Sequence, residues 1–444
     1  MLRSPRPLGP LTSAGATSVL LLALSHAVPR PAVAQAPGAT AMDPQVASLV
    51  EQVSPESLRE YLTRLVSFET RHTLSTLTPR EGWGITAARD YLLETLSATS
   101  PRLVASLDCY QVAAGERIPQ EVEICNVLAL LPGRSQRRIY VSGHYDSVAL
   151  QEDGTFDWNR FDNPAPGAND DGSGTALTLE LARVLSGSGI QFDATLVFIA
   201  FAGEEQGLLG SSLHAAAMRD AGVVIDAVFN NDIVGNVEGG GGALDRGSVR
   251  VFAEGLDDSP SHALLRHVRR AAEVYVPSHA VRALSRRDRF GRGGDQTSFT
   301  RLGYPAVRFT EARENFSRQH VSADTLAGVD FDYLAQNARV NLAAVATLAL
   351  APSAPIVVEE QLLMLGRGPS GYDAHLRWQR SPGAAGYRVV WRDTWSKEWE
   401  HERLVGDVDE LLLEGLSIDD HAFGVAAVGV AGHESVVTSY RAGG

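Results

Sequence analysis

Histidine and acidic side chains that can bind a metal ion come directly after apolar segments of this sequence. Five of them follow segments with the composition of buried strands: His144, Asp146, Glu204, Glu205 and Asp232. Two further candidates lie in loops, Asp170 before a glycine-rich turn and His320 after the apolar segment 305–309. Each has an ordinary structural explanation when taken alone, such as a helix N-terminus for a pair of acids.

The candidates point to metal chemistry when they are taken together. Carboxylates gathered at one buried edge of a sheet repel one another, and each resists ionisation unless a cation compensates its charge. Two imidazoles with three carboxylates form a ligand set suited to divalent zinc, cobalt or manganese. Because this set contains no thiolate and leaves coordination positions open, the sequence predicts a hydrolytic metal site in preference to a structural one.

The elements that must position these side chains alternate along the chain. Nearly continuous apolar segments predict buried strands at 138–143, 194–201, 227–230, 249–252 and 305–309. Helical patterns accompany them at 173–186, 206–220, 259–276 and 330–349. This alternation predicts an α/β fold with a mostly parallel mixed sheet flanked by helices. In such sheets the ligand site lies beyond the carboxyl ends of the strands, which is where the candidates fall.

The character of the sequence changes after the proline-rich segment 351–355. Short alternating segments without helical periodicity predict a small all-β sandwich over residues 356–440, with an irregular β-rich tail as the alternative. The placement of Trp378, Tyr387 and Trp391 resembles a fibronectin type III domain. Its role stays open, because binding a surface or polymer, assisting folding during export and acting as a spacer all fit the sequence.

The N-terminus has the pattern of an export signal. Arg3 and Arg6 precede the apolar run 18–24, and a small-residue cleavage pattern ends at Ala34. We therefore expect a signal peptide at 1–34, a flexible segment at 35–54 and a periplasmic or extracellular protein without a membrane span; a disordered leader is the alternative. Cys109 and Cys125 lie in strand-like segments around a polar turn, where they can occupy facing positions of a hairpin. In an exported chain they are expected to form a disulfide, with two buried free thiols as the other possibility.

Composition excludes several other functions. The chain has 444 residues and two cysteines, and Lys397 is its one lysine. The region before Lys397 therefore cannot carry P-loop or pyridoxal chemistry, and cysteine-rich zinc modules and iron–sulfur centres are excluded. Without residues 1–34 the chain keeps 36 basic and 53 acidic residues, a formal net charge of −17. Such an acidic chain is a poor binder of nucleic acid.

Five features occur in the order found in peptidase family M28, the dizinc aminopeptidases, and resemble that family's motifs. They are Gly143-His144-Tyr145-Asp146-Ser147, Asn169-Asp170-Asp171-Gly172-Ser173-Gly174, Ala202-Gly203-Glu204-Glu205-Gln206-Gly207-Leu208-Leu209-Gly210-Ser211, Asn231-Asp232-Ile233-Val234-Gly235 and the distal His320. The resemblance covers about residues 55–350. It implies a secreted, bacterial-type metallopeptidase domain at 55–351 with the zinc-exopeptidase fold.

The resemblance also implies a role for each metal ligand. Asp170 is expected to bridge two zinc ions, with other divalent metals as alternatives. His144 and Asp232 would complete the site of one ion, and Glu205 and His320 that of the other.

A catalytic assignment follows from the same resemblance. Glu204 takes the position of the general base, which removes a proton from a metal-bridged water that attacks the N-terminal peptide bond. Asp146 is similar to the carboxylate that orients the histidine ligand. The expected substrates are the N-termini of peptides or proteins; the preferred first residue and the oligomeric state are not predicted.

Two departures from the family pattern affect the expected site. Gln319 stands immediately before the last histidine, where family members often carry a tyrosine that assists the oxyanion. Gln319 itself, Tyr145 or Arg318 are the candidates to replace it, or the oxyanion site is weaker. Asp295 lies in a loop resembling one that carries Ser-Asp-His or Ser-Asp-Tyr, and we expect it to position that loop. The segment 151–168 is either a pocket wall or a solvated insertion.

Other functions remain as alternatives. A glutaminyl cyclase is similar but works with one zinc, and a carboxypeptidase activity is a further possibility on this fold. A non-catalytic binding protein would not need the complete set of ligands and the base. A nucleophilic serine hydrolase is disfavoured because the sequence lacks a Gly-x-Ser-x-Gly motif.

Overall fold

An eight-stranded mixed sheet forms the centre of the structure, a computed structural model that describes residues 42–151, 153–288 and 292–441. The strands are β1 (Val104–Val112), β2 (Val122–Leu131), β3 (Arg138–His144), β4 (Thr195–Phe201), β5 (Ile225–Asn231), β6 (Ser248–Ala253), β7 (Ala280–Ser285) and β8 (Ala306–Glu311). Their order across the sheet is β1-β2-β4-β3-β5-β8-β6-β7. The pairs β3–β4, β3–β5, β5–β8 and β6–β7 are parallel, and the other three pairs are antiparallel. The predicted mixed, mostly parallel sheet is confirmed.

Helices cover the sheet. They are α1 (Pro44–Glu51), α2 (Pro55–Val66), α3 (Gly84–Thr99), α4 (Gly172–Gly187), α5 (Leu209–Asp220), α6 (Pro260–Tyr275), α7 (Gln296–Thr300) and α8 (Phe331–Leu350). Helices α4 and α8 are buried along nearly their whole length. Helix α4 packs on β3, β4 and β5 and against α2 and α8, and α8 packs against α1, α2, α4 and α6. Within the part of the chain that the structure describes, no helix is long and apolar enough to cross a membrane.

The structure differs from the sequence prediction near the N-terminus. The predicted signal peptide at 1–34 lies outside the described residues, but part of the segment 35–54, expected to be flexible, is the helix α1. Asp43 caps this helix by accepting a hydrogen bond from the Gln45 N–H at 2.7 Å. Val46 is fully buried where α1 packs against α8. The prediction of a flexible segment is therefore wrong for residues 44–51, because burial of an apolar helix face outweighs the proline-rich composition around it.

One strand of the sheet was not predicted from the sequence. Strand β7 lies at the sheet edge, beside β6, and most of its side chains are exposed or half-buried. Its sequence includes Arg282, which forms an ion pair with Asp245. An exposed edge strand needs little apolar character, so the apolar pattern that identifies the central strands is missing here.

The C-terminal region consists of short antiparallel strands. They are β9 (Val358–Glu359), β10 (Leu362–Leu363), β11 (Leu365–Arg367), β12 (Asp373–Arg377), β13 (Ala384–Asp393), β14 (His401–Val405), β15 (Glu410–Ser417), β16 (His421–Gly429) and β17 (Thr438–Ser439). They form a three-stranded sheet, β11-β12-β15, and a four-stranded sheet, β14-β13-β16-β17, with a β9–β10 pair beside them. Trp378 and Tyr387 lie in their common core, with ring centroids 5.2 Å apart. The expected all-β region is confirmed, whereas its relation to fibronectin type III domains stays a prediction.

Ion pairs join this β-region to the α/β region. The buried guanidinium of Arg392 lies 2.6 Å from Asp258, in the loop before α6, and Glu398 lies 2.7 Å from Arg269 on α6. His433 lies 2.8 Å from Asp43, the residue that caps α1. The β-region is thus attached at several points, which is consistent with the described residues forming one compact unit.

A disulfide links the hairpin at the other edge of the sheet. Cys109 on β1 lies directly opposite Cys125 on β2, and the two sulfurs are bonded. The predicted disulfide is therefore present in the structure. Strand β1 lies at the edge of the sheet and pairs with β2 alone. The disulfide adds a covalent link between these two strands.

Replacing both cysteines by serine should destabilise the protein. The bond spans a sequence separation of 16 residues, and a loop of that size corresponds to about 3 kcal/mol of unfolding free energy in the chain-entropy treatment. Urea unfolding of the wild-type protein and of the Cys109→Ser/Cys125→Ser variant measures the difference. Dithiothreitol should lower the unfolding midpoint of the wild type and leave that of the variant unchanged. Equal midpoints for the oxidised wild type and the variant would contradict this assignment.

Candidate metal centre

The first turn of α4 lies unusually close to the ends of β3 and β5. A Cβ atom at Gly174 would lie 2.1 Å from the backbone oxygen of Asn231, and one at Gly143 would lie 2.6 Å from the carbonyl carbon of Gly174. Side chains at either position are therefore excluded. This close approach brings Asp170, just before α4, to the strand ends that carry His144 and Asp232.

Asp171 fixes that approach through hydrogen bonds to three separate backbone segments. Its carboxylate accepts the N–H groups of Gly174 at 2.9 Å, His144 at 3.0 Å and Ile233 at 3.2 Å. The side chain is fully buried, so these bonds satisfy a carboxylate that would otherwise be costly to bury. Asp171 thus caps α4 and also connects it to β3 and β5.

His144, Asp170 and Asp232 form a first set of ligand atoms. The Nε2 atom of His144 lies 3.3 Å from Oδ1 of Asp170 and 4.0 Å from Oδ1 of Asp232. All three side chains are buried, and their ligand atoms lie within 4.8 Å of one another. An imidazole and two carboxylates at this spacing can hold one zinc ion.

Asp170, Glu205 and His320 form a second set. The Nε2 atom of His320 lies 3.1 Å from Oδ2 of Asp170 and 3.2 Å from Oε2 of Glu205. Asp170 therefore directs one oxygen to each set, which is the arrangement of a bridging carboxylate. The other oxygen of Glu205, Oε1, is buried without a hydrogen-bond partner among the described residues, and a bound cation would satisfy it.

The charges at this centre favour bound cations. The charge of Glu205, with that of Asp170, raises the pKa of His320 to about 12 despite its burial. Burial opposes ionisation of Asp170, yet the charges of His320 and His144 hold the pKa of Asp170 well below its usual range. Positive charge is thus strongly favoured between the carboxylates, and a divalent cation supplies it in place of protons on the imidazoles.

Asp146 connects His144 to the turn that carries Glu204 and Glu205. Its two carboxylate oxygens accept the N–H groups of Glu204 and Glu205, each at 3.1 Å. One of these oxygens also lies 3.5 Å from Nδ1 of His144, and the Asp146 carbonyl oxygen lies 3.2 Å from the same nitrogen. These contacts hold the His144 ring and the acidic turn together, whereas the role expected for Asp146 in orienting a histidine ligand stays a prediction.

Glu204 lines a cavity of about 730 Å³ together with all five ligand residues. It follows β4 by way of Gly203, whose φ of 69° favours glycine and turns the chain back toward α5. Burial raises the pKa of Glu204 well above its usual range, against the opposing charge of His144. The structure therefore places every predicted catalytic or ligand residue at one site, with Asp146 beneath it.

The structure also separates the candidates for the missing tyrosine. Gln319 lines the cavity, where its Nε2 atom donates a hydrogen bond to Glu314 at 3.0 Å. The Tyr145 hydroxyl instead donates to the Cys125 carbonyl at 2.7 Å, and Arg318 lines a different surface cavity. Of the three residues, Gln319 alone lies where it can face a substrate.

Asp295 is buried next to the centre. It is 1% exposed and directly precedes α7, and its burial raises its pKa to about 7. Asp295 is not among the described residues that line the cavity, and its expected role in positioning the loop stays a prediction.

Two residues near the centre were missed in the sequence. Asp324 accepts the N–H groups of Asn169 and Asp170, both at 2.9 Å, and so fixes the backbone of the shared ligand. Arg308 is 1% exposed and lies 3.1 Å from Oδ2 of Asp232. Asp324 lies four residues after His320, and Arg308 lies within the predicted strand 305–309. No local sequence pattern reveals the contact of Asp324 with Asp170 or that of Arg308 with Asp232, because the partners are far apart in the sequence.

Comparison with known proteins identifies the family. The family model described as peptidase family M28 matches residues 126–345. A probable zinc metalloprotease from Pyrenophora teres f. teres is 36% identical over 88% of this chain and 86% of its own length. The chain belongs to peptidase family M28. Zinc and hydrolysis, expected from the ligand set, and peptide bonds as the substrate, implied by the resemblance, agree with this membership.

Solved structures of this family's fold align with the M28 chain at lower identity. The Legionella pneumophila LapA aminopeptidase aligns with a TM-score of 0.54 and 19% identity over 71% of this chain and 78% of LapA. A glutaminyl cyclase from Porphyromonas gingivalis aligns with a TM-score of 0.51 and 18% identity over 66% and 97% of the two chains. At such identities the fold is shared, and it is common to two different activities.

Replacing Asp146 by asparagine should weaken zinc binding by about 10- to 100-fold, the range typical of lost support to a histidine ligand. The N–H groups of Glu204 and Glu205 bond to different oxygens of Asp146, and asparagine replaces one of these oxygens by an NH2 group, which cannot accept a hydrogen bond. Competition with a chelator measures the affinity, and Asp220→Asn, an exposed residue on α5, is the matched control. Unchanged affinity in Asp146→Asn would show that these contacts do not support the centre.

Proposed function

We propose that this M28 peptidase is an exported aminopeptidase that works with two zinc ions. The observation that carries the proposal is the position of Asp170, whose two oxygens face two separate sets of ligand atoms. His144 and Asp232 complete the set on one side, and Glu205 and His320 complete the set on the other. When bound there, zinc supplies Lewis acidity, which polarises a carbonyl group and lowers the pKa of water.

Glu204 is the general base in this proposal. It faces the cavity beside the ligands but belongs to neither set, so its carboxylate is available for proton transfer. Its burial raises its pKa, which makes it a stronger acceptor for the proton of an attacking water. The same carboxyl group can then give the proton to the leaving amine. Asp146 holds the backbone of Glu204 and so keeps this carboxylate in place.

Several features support cleavage at a free N-terminus. Four carboxylates, those of Asp170, Glu204, Glu205 and Asp232, line one cavity and suit a substrate α-ammonium group. Gln319, through its amide, can donate a hydrogen bond to an oxyanion in place of the tyrosine common in the family. The likeness to the LapA aminopeptidase agrees with this assignment.

The disulfide supports export, because such bonds persist in oxidising compartments. A bacterial-type protein with a signal peptide at 1–34, a peptidase domain at 55–351 and a fibronectin type III-like module at 356–440 completes the proposal, although the curated relatives come from fungi. The module, attached through α6, is proposed to bind a surface or polymer.

A glutaminyl cyclase is the second candidate, because such an enzyme shares the fold over nearly its whole length. It would need one zinc ion, whereas this chain offers two complete ligand sets. A carboxypeptidase activity would use the same centre and differs in the end of the peptide that is bound. The number of metal ions and the required substrate terminus therefore separate these functions.

Elemental analysis of the purified protein should give two zinc ions per chain. Asp170→Asn should lose both ions because it weakens both sets, whereas His320→Ala should retain one because it leaves the His144 set intact. Circular dichroism of each variant serves as the control for folding. One zinc ion in the wild-type protein would contradict the dinuclear proposal and favour the cyclase.

A panel of aminoacyl-nitroanilides and peptides tests the activity. The wild-type protein should hydrolyse substrates with a free N-terminus and leave the same peptides intact when that terminus is acetylated. A chelator should abolish turnover, and added zinc should restore it. Cleavage of the acetylated peptides would contradict an aminopeptidase.

The same panel tests Glu204. The Glu204→Gln protein should keep its zinc content. Its kcat should fall by about 10²- to 10⁴-fold, the usual contribution of a general base. The matched control is Glu116→Gln, which changes an exposed residue in the β1–β2 turn. Substantial turnover by the zinc-loaded Glu204→Gln protein would assign the proton transfer to another group.

A further inference from the structure

Arginines line much of the cavity above the metal centre. They are Arg117, Arg287, Arg292, Arg301 and Arg308. Three of them already face carboxylates. Arg287 lies 3.2 Å from Glu254, Arg292 pairs with Glu314, and Arg308 pairs with Asp232.

Arg117 has no such partner. Among residues 42–151, 153–288 and 292–441, no carboxylate lies within 4.0 Å of its guanidinium group, which donates one hydrogen bond to the backbone oxygen of Glu205 at 3.3 Å. The group also lies 5.5 Å from the ring of Trp158. These contacts place a free positive charge beside a metal ligand and leave most of its N–H donors available.

The loop that carries Trp158 fixes the position of Arg117. Trp158 stacks on Phe156 with ring centroids 4.9 Å apart, and the Phe156 ring lies 5.5 Å from that of His320. An aromatic face attracts a guanidinium group and restricts its motion. The segment expected at 151–168 as a pocket wall or an insertion therefore contacts the centre through Phe156.

Arg301 supplies a second uncompensated charge. It follows α7, and its backbone N–H bonds to Thr297 at 3.1 Å, whereas its exposed guanidinium has no hydrogen bond or ion pair within the described part of the chain. Arg301 and Arg117 border the same cavity. They differ in this respect from the three paired arginines.

The charges of the cavity predict what these two arginines bind. Arg287, Arg292 and Arg308 are each paired with a carboxylate of the protein, whereas Arg117 and Arg301 have none within the described residues. A substrate anion can supply the missing partner. Arginine binds carboxylates through paired N–H donors with favourable geometry.

We infer that the cavity selects substrates with a carboxylate near the scissile bond and binds this group through Arg117 and Arg301. The inference rests on the proposed aminopeptidase function and names its substrate class. The carboxylate has two available sources, the side chain of an N-terminal aspartate or glutamate and the C-terminus of a dipeptide.

Two matched pairs of substrates separate these sources. Glutamyl- and glutaminyl-nitroanilide differ only in the charge of the first side chain, and Leu-Gly and Leu-Gly-amide differ only in the C-terminal charge. In at least one pair the wild-type protein should prefer the carboxylate member by about tenfold in kcat/KM, as expected for hydrogen bonds to a charged group. The pair in which the carboxylate member is preferred then identifies the source of the carboxylate.

Arginine variants test the residues. Arg117→Gln and Arg301→Gln should each lower that preference several-fold, and the double variant should abolish it; a general loss of turnover cancels in the ratio. Arg287→Gln is the matched control, because Arg287 borders the same cavity but is paired with Glu254, and it should keep the preference. No preference in either pair, or a preference that survives in the double variant, would overturn the inference.

Leucyl-nitroanilide separates this inference from the proposed function. Its hydrolysis without any carboxylate preference would contradict the inference and leave the aminopeptidase proposal standing. If neither leucyl-nitroanilide nor any member of the two pairs is cleaved, the aminopeptidase proposal fails, and calorimetric binding of the same pairs to the zinc-loaded protein still tests the arginines. Equal affinity within both pairs would then overturn the inference.

Discussion

The concentration of carboxylates at one buried edge of the sheet is the constraint on which this structure depends. Asp170, Glu205 and Asp232 are all less than a tenth exposed and lie close to two histidines. Such a group is unstable without positive charge, because the carboxylates repel one another and have lost their hydration. Metal binding and folding of the strand ends are therefore linked, because a bound cation stabilises the clustered carboxylates that hold it.

A second group of carboxylates holds the ligands through their backbone. Asp146 accepts N–H groups of the Glu204–Glu205 turn, Asp171 that of His144, and Asp324 that of Asp170. Each aspartate comes from a different segment from the ligand that it fixes. The ligand side chains keep their lone pairs for a metal, because the main chain supplies the contacts that hold them in place.

The sequence predicted the parts of this arrangement that depend on local patterns. Apolar segments revealed β3, β4 and β5, and a candidate ligand or the candidate base follows at the end of each strand. Strand β7 lacked that signal, because an edge strand keeps exposed side chains. The roles of Asp324 and Arg308 arise from contacts between distant segments, such as the bond from Asp170 to Asp324 across 154 positions, which no local pattern reports.

Arg71 also fixes the backbone near the centre, but it donates to backbone oxygens, whereas the aspartates accept from backbone N–H groups. It is 1% exposed and donates to the backbone oxygens of Tyr145 at 2.6 Å and Gly167 at 2.8 Å. It thereby joins the loop after His144 to the loop before Asp170. The sheet alone does not define the centre, since the same fold occurs in a cyclase and an aminopeptidase. Long-range bonds from buried side chains to the ligand loops fix the coordination geometry, and the cavity walls are left to determine the substrate.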